Sequence, residues 1–479
     1  MKKETLISFA LGIVCFAAVV LQISDPFGLK FWAPFYGLTL VLVLLLFKAT
    51  RCLFVRRQMI LKLIGILPAI LCLLFSLILI TLIVDYRWIL PGYPAKNLTE
   101  HEWNEDVQFL RAELKKHPAF NDSLTNTFLT DKSLYASINS DERLISLMKY
   151  IGRFHDGHTL MHPLQPGLRA SYFPLQGFWF GDGYFIVRAA NRYKGLIGAQ
   201  IISVNGKPME ELWKQVSILY GAENEWQKKA QFDLFLFSAN VLHGLKVIPG
   251  VDHCRIEYKQ DGKSASLEVT SEPFFAWMFW FLKPISESDW NPAYYSMRKP
   301  NYSLQYDSAY RGILVRFNLV QDIPGWSIKD MSGDLVSAIK AGVNRVIIDL
   351  RNNQGGDNTK YNDLVEVIRA YSACTDFVFL VSRKTFSAAV NFISESKSAG
   401  RIVLVGEPTG AGPNHYGDPR HILLPNSKLS LFISTRKWEF DSLDNNKFYI
   451  PDIPVKYNSI HLKENIDPWL DAINFNSGN

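Results

Sequence analysis

The sequence predicts an α/β protein with an apolar N-terminal anchor, and three observations lead there. Strand-like and helix-like segments alternate from residue 305 onward. Residues 171–270 read as short strands broken by turn signals. Three uncharged apolar runs fill much of the first 84 residues. Alternating β and α units imply a layered core around a largely buried sheet. The parts expected in order are an anchor (1–84), a helical region (85–168), a β-rich module (169–272), an aromatic-rich connector (273–304) and a core (305–479).

The apolar runs cover residues 5–24, 31–47 and 63–84, and a membrane-crossing helix needs about 20 apolar residues. The 479-residue chain carries 51 Lys+Arg and 45 Asp+Glu, a net charge of +6. All of that excess sits in residues 1–84, which hold eight basic and two acidic groups; the remainder is balanced. A neutral body lacks the basic footprint of a nucleic-acid binder. Lys48, Arg51, Arg56, Arg57 and Lys62 lie between the second and third runs, and Lys2 and Lys3 precede the first. The positive-inside rule puts both groups in the cytoplasm. The expectation is a multi-pass cell-membrane protein with a cytoplasmic N-terminus, and everything after Asp85 outside the cytoplasm. A cleaved signal peptide is the alternative for the first run.

Trp103, Val107, Leu110 and Leu114 form one apolar stripe, so residues 97–120 read as a helix capped by Asn97 or Thr99. A second helix is expected from Ser140 to Phe154, with Leu144, Leu147, Met148 and Ile151 inward. It ends at His155-Asp156-Gly157-His158-Thr159. In the β-rich module, Tyr184–Arg188 and Gln200–Val204 are strand-like and Asn205-Gly206 is a turn. Arg255–Tyr258 and Ser266–Val269 close a hairpin over Asp261-Gly262, and residues 222–245 read as a helical insertion. Phe274 to Leu282 is nearly all apolar and too short to span a bilayer. It is either a buried strand or helix turn, or a patch that meets the membrane interface or roofs a site. Cys254 and Cys374 could pair in an oxidising compartment but read rather as unpaired core residues, with no metal-knuckle spacing.

In the core, strands are expected at Ile313–Val320, Arg345–Leu350, Phe377–Val381 and Ile402–Val405. Helices are expected at Ile328–Ala341, Tyr361–Tyr371 and Ser387–Ser398, and two further strands near Ile422 and Leu429–Ser434. Three loops can carry chemistry. Gly355-Gly356 follow an apolar strand, where paired glycines make either a plain turn or a set of N–H groups aimed at a ligand. Ser387 opens a helix, as either a cap or a nucleophile whose oxyanion would meet the Ala388 N–H. His155, His158 and His162 fall within eight residues; they could bind zinc, one could serve as general base, or all could be idle surface groups.

Together these loops resemble the tail-specific (C-terminal processing, tricorn-like) serine peptidase family. The resemblance rests on Val346-Ile347-Ile348-Asp349-Leu350-Arg351-Asn352-Asn353-Gln354-Gly355-Gly356, Thr385-Phe386-Ser387-Ala388-Ala389, Gly406-Glu407-Pro408-Thr409-Gly410 and Pro451-Asp452-Ile453-Pro454-Val455, with Asp156-Gly157-His158-Thr159 upstream. It implies a ClpP/crotonase-like core, a divergent PDZ-like module around Ile201–Pro208, a peptide or protein substrate and no cofactor or metal. It further implies that Ser387 attacks the peptide carbonyl while N–H groups of Ala388 and of Gly355 or Gly356 hold the oxyanion. The processing-peptidase branch places a lysine base where this chain has Gly412; Lys397, ten residues along the helix, is no substitute. The tricorn-like branch uses His, and His158 stands in the matching segment. Asp444 and Glu439 are candidates to orient it. The rival expectation is a catalytically silent module that binds peptides or cell-surface polymers.

Overall fold

In the computed structural model, residues 98–120, 140–163, 170–273, 277, 280–281, 302–308, 310–441, 443–444 and 446–475 are described. The expected spans at 5–24, 31–47 and 63–84 lie outside them. No helix among the described residues is long and apolar enough to cross a membrane. The elements below all belong to one unit, 97–280 with 284–479.

Helix α1 (Glu100–Leu114) begins at a capping box in which Thr99 and Glu102 satisfy each other's backbone N–H. Thr99, not Asn97, is the cap. Its four stripe residues are all buried, as are the four inward positions of α2 (Ser140–Gly152). Strands β1 (Ser171–Tyr172), β2 (Leu175–Phe180), β3 (Gly183–Ala189), β4 (Gln200–Val204) and β5 (Lys207–Pro208) lead into α3 (Met209–Val216). The expected insertion is two helices, α4 (Glu225–Leu236) and α5 (Ala239–Gly244). Then come β6 (His253–Gln260), β7 (Lys263–Thr270) and the short β8 (Glu272–Pro273), which pairs with β1. The module's sheet runs β2-β3-β4-β6-β7, with β5 on the side of β4. Both expected turns have the paired positive φ of tight hairpins: Asn205 48° and Gly206 75°, Asp261 48° and Gly262 79°.

Trp277 from the connector is 5% exposed and stacks on Tyr172, with centroids 4.5 Å apart. Arg188 lies over the Trp280 ring and donates to the Trp280 carbonyl. These two tryptophans are therefore protein contacts. Cys254 is buried, Cys374 is exposed, and both are free thiols. Cys374 thus departs from the expected core position.

The core consists of β9 (Tyr302–Asp307), β10 (Gly312–Phe317), α6 (Ile328–Lys340), β11 (Arg345–Asp349), α7 (Asn362–Tyr371), β12 (Asp376–Val381), α8 (Ala388–Ala399) and β13 (Ile402–Gly406). Two antiparallel ribbons follow. β14 (Asn414–Gly417) pairs with β17 (Arg436–Glu439), and β15 (Arg420–Leu423) pairs with β16 (Ser430–Ile433). The chain ends with β18 (Ile453–Pro454), α9 (Ser459–Lys463) and α10 (Pro468–Phe475). The large sheet has the order β18-β13-β12-β11-β10-β9, and only β9 is antiparallel.

Strand alternation divides the sheet's side chains between two cores. Val346, Ile348, Phe377 and Phe379 pack against Leu335, Leu364, Ile368 and Phe392 of α6, α7 and α8. Ile347, Val378, Leu380 and Val405 pack with Phe178 and Phe180 of β2 and with Trp469 of α10. Both faces are covered, which explains the unbroken apolar runs of β11 and β12. Buried ion pairs fasten the loops at the strands' carboxyl ends. Arg351 bridges Asp349 and Asp467, and Arg383 pairs with Glu407.

Candidate active site

The loops after β11 and β12 meet at the carboxyl edge of the sheet. Thr385 Oγ1 donates to the Leu350 carbonyl and Ser382 Oγ to that of Arg351, while the Phe386 N–H donates to the Asn353 carbonyl. These bonds hold Ser387 at the head of α8 with φ 55° and ψ −128°, a conformation L side chains rarely adopt. Ser387 stands at the N-cap position, yet its hydroxyl makes no capping bond. It lies 2.9 Å from His158 Nε2 instead.

His158 is delivered from the other end of the unit. The turn after α2 is pinned by the Leu160–Phe432 bridge to β16 and by the Ser434 N–H, which donates to Thr159 Oγ1. Its Phe386-facing side is stacked, with centroids 4.4 Å apart. Burial holds the His158 imidazole below its ordinary value; the charges of Asp156 and Asp418 and the backbone of Tyr416 work the other way. A neutral imidazole at a serine hydroxyl can accept its proton as the oxygen attacks a carbonyl.

The carboxylate behind His158 is Asp156, two residues earlier. Its Oδ1 accepts the His158 backbone N–H at 2.8 Å and lies 3.9 Å from His158 Nδ1. Its Oδ2 lies 2.9 Å from His117 Nε2. Burial works to raise the Asp156 carboxyl, but the His117 hydrogen bond, the His158 charge and the hydroxyls of Ser434 and Thr159 outweigh it and hold it at about 2. Asp156 is therefore a carboxylate at neutral pH. The expected orienting candidates are elsewhere: Asp444 accepts the Asn446 N–H, and Glu439 pairs with Lys437.

The glycine pair divides. The Gly355 N–H donates to Asn353 Oδ1 at 2.9 Å, so of the two it is not the open donor. The N–H groups of Gly356 and Ala388 meet no acceptor among the described residues. Gly355 matters through its missing side chain. A Cβ there would stand 2.9 Å from the Ala388 nitrogen and close off that N–H.

Gly412, at the lysine position of the processing branch, has no space for a side chain, since a Cβ would lie 2.2 Å from the Asn446 carbonyl oxygen. Lys397 Nζ sits over the Tyr449 ring. The three clustered histidines separate: His155 is exposed, His162 packs edge-on against Phe432, and His158 faces Ser387. No group of three metal-ligating side chains forms among the described residues.

Two buried neighbours had no signal in the sequence. Glu223 Oε1 accepts the Gly157 N–H at 3.4 Å from behind the His158 turn. His415 donates Nδ1–H to the Gly412 carbonyl, and its ring lies 6.1 Å from that of His158, nearly parallel.

No family model matches the sequence, and no curated protein matches it. The fold is nevertheless shared with solved structures. Mature CPAF aligns with a TM-score of 0.54 at 12% identity, over 79% of this chain and 99% of that one. CPAF complexed with lactacystin aligns at 0.53 and 12%, over 78% and 97%. The photosystem II D1 C-terminal processing protease aligns at only 0.38 and 13%, over 80% and 98%. The chain therefore shares the mixed α/β fold of the CPAF structures. At this identity the likeness concerns architecture alone.

Proposed function

We propose that this chain is a membrane-anchored serine peptidase that cleaves peptide bonds of a peptide or protein substrate by acyl transfer. The observation that carries this reading is the 2.9 Å contact between Ser387 Oγ and His158 Nε2, made by a strained serine that performs no capping role. In the proposed cycle Ser387 Oγ bonds to the substrate carbonyl carbon and its proton passes to His158 Nε2. The negative oxygen is held by the Gly356 and Ala388 N–H groups at the positive end of α8. Collapse breaks the C–N bond, and His158 returns the proton to the leaving amine. Water, deprotonated by the same imidazole, then adds to the acyl carbon; the C–Oγ bond breaks, the carboxylic acid leaves, and His158 returns the proton to Ser387 Oγ. Asp156 stabilises the transient imidazolium electrostatically across 3.9 Å.

A fluorophosphonate probe tests the nucleophile. The wild-type chain is expected to label, and Ser387→Ala and His158→Ala are expected to lose labelling by several orders of magnitude in rate. Equal labelling of Ser387→Ala and wild type would defeat the assignment. A folded chain that never labels, and whose phenotype survives Ser387→Ala, would instead be the silent binding module.

The placement we propose is multi-pass in the cell membrane, with a cytoplasmic N-terminus and Ser387 outside the cytoplasm. Support comes from the three apolar runs and the basic loop at 48–62. Protease protection of sealed inside-out vesicles should spare the region after Asp85. Digestion of that region in intact inside-out vesicles would reverse the topology.

A further inference from the structure

His117 lies just past the end of α1 and shares no sequence neighbourhood with the site, yet its side chain is fully buried against Asp156. Its tautomer follows from its partners. The Ala119 N–H donates to His117 Nδ1 at 2.9 Å, so that nitrogen presents a lone pair. The ring proton is then on Nε2, which donates to Asp156 Oδ2 at 2.9 Å. The ring is held on its other sides by Phe154, with centroids 4.8 Å apart, and by Tyr416 at 5.1 Å.

Asp156 is thus fastened through both oxygens, Oδ2 by His117 and Oδ1 by the His158 backbone. A carboxylate bonded through Oδ1 alone could turn about its Cβ–Cγ bond. The two-point attachment stops that rotation and keeps Oδ1 toward His158 Nδ1. The other groups whose charge or hydrogen bonding reaches Asp156 are His158, Glu223, His415, Tyr416, Ser434 and Thr159. Of these, Glu223 offers a second acid and no fixed positive charge.

We propose that His117 is a positioning residue of the Ser387–His158–Asp156 set, holding the carboxylate that steadies the imidazole. This rests on the serine-peptidase reading above. It extends the array to four side chains and brings the end of α1 into the active site.

The test compares two substitutions in the full chain, with the second-order rate of fluorophosphonate labelling at Ser387 as readout. His117→Phe keeps the aromatic packing against Phe154 and Tyr416 but removes the donor. His117→Gln loses the ring but offers an amide N–H of similar reach. A positioning role predicts that His117→Phe labels roughly 10–100-fold more slowly and that His117→Gln stays close to wild type. It also predicts that the acid limb of the His117→Phe rate profile shifts relative to wild type. A packing role predicts the reverse order and an unshifted profile, and that result would overturn the proposal. Thermal melts report folding. If His117→Phe does not fold, the outcome falls to His117→Leu in wild-type and Asp156→Asn backgrounds. A loss of rate on His117→Leu that vanishes without the Asp156 carboxylate supports the proposal, and an equal loss in both backgrounds overturns it. A wild-type chain that does not label removes the peptidase reading and this proposal together. A wild-type chain that labels, with His117→Phe unchanged, removes only this proposal.

Discussion

The backbone of Gly355 packs so tightly against Ser387 that a Cβ added to the glycine would stand 2.7 Å from the serine Cβ. Gly355 also has φ 108°, where a side chain is strained whatever the space. The glycine therefore serves the nucleophile sterically, although its own N–H is taken by Asn353. Gly355→Ala is expected to cost about 1–3 kcal/mol of stability and to abolish labelling of Ser387 even where the chain stays folded. Chemical denaturation and fluorophosphonate labelling read the two effects separately. A folded Gly355→Ala chain that labels normally would show that the close approach is dispensable.

The pH profile should carry the signature of His158. Its imidazole lies below the ordinary 6.5, with burial the largest cause. The neutral, proton-accepting form therefore persists to lower pH than for a free histidine. Labelling rate is expected to be flat through neutral pH and to fall on the acid side at a midpoint below 6.5. A midpoint above 6.5 would mean that the Asp156 and Asp418 charges outweigh burial.

Glu223 should leave a mark on stability. Burial, then the negative charge of Asp156, pushes its carboxyl up to about 8, against the opposing Gly157 N–H and Lys447. The folded chain thus holds a proton between about 4.5 and about 8 that the unfolded chain releases, so stability falls as pH rises through that window. Asp156 acts in the other direction and at lower pH, since its depressed value adds stability that is lost as pH falls toward about 2. Comparing Glu223→Gln with wild type isolates the first effect. The variant should gain on wild type by up to about 1.4 kcal/mol per pH unit across the window. Parallel stability curves would place the Glu223 carboxyl near its usual range.

Restoring the lysine of the processing branch should fail. At Gly412 a Cβ would meet the Asn446 carbonyl at 2.2 Å and further backbone of Lys447 and Phe448 at 2.9 Å. Gly412→Lys is expected to lower the melting temperature and to leave labelling dependent on His158. Labelling of a Gly412→Lys, His158→Ala chain would contradict this.

Much of the fold was legible because its signals are local. The stripes of α1 and α2, the alternation of β10 to β13 with α6 to α8, and the two tight turns depend on residues a few positions apart. The ribbon β14–β17 was not legible. Its short strands carry polar residues, and it forms by pairing His415 with Trp438 across a loop. The edge strands β9 and β18 owe their conformation to the neighbours β10 and β13. Asp156 had a faint signal, since an acid two residues before a histidine in a turn can reach that histidine's backbone. His117 and Glu223 had none.

The sequence by itself determined the candidate list. It marked Ser387 and His158, excluded a lysine at 412, and put the positive charge in the N-terminal segment, because residue type and spacing are written along the chain. The tertiary structure decided which candidates meet. It brought Ser387 to His158 across 229 positions and separated His155 and His162 from them. It spent the Gly355 N–H on Asn353 and left those of Gly356 and Ala388 open. It also set His117 behind Asp156. The physical reason is the same in each case: a hydrogen bond requires two groups within about 3 Å, and a separation of that size between distant residues is set by how the layers pack, not by any local pattern.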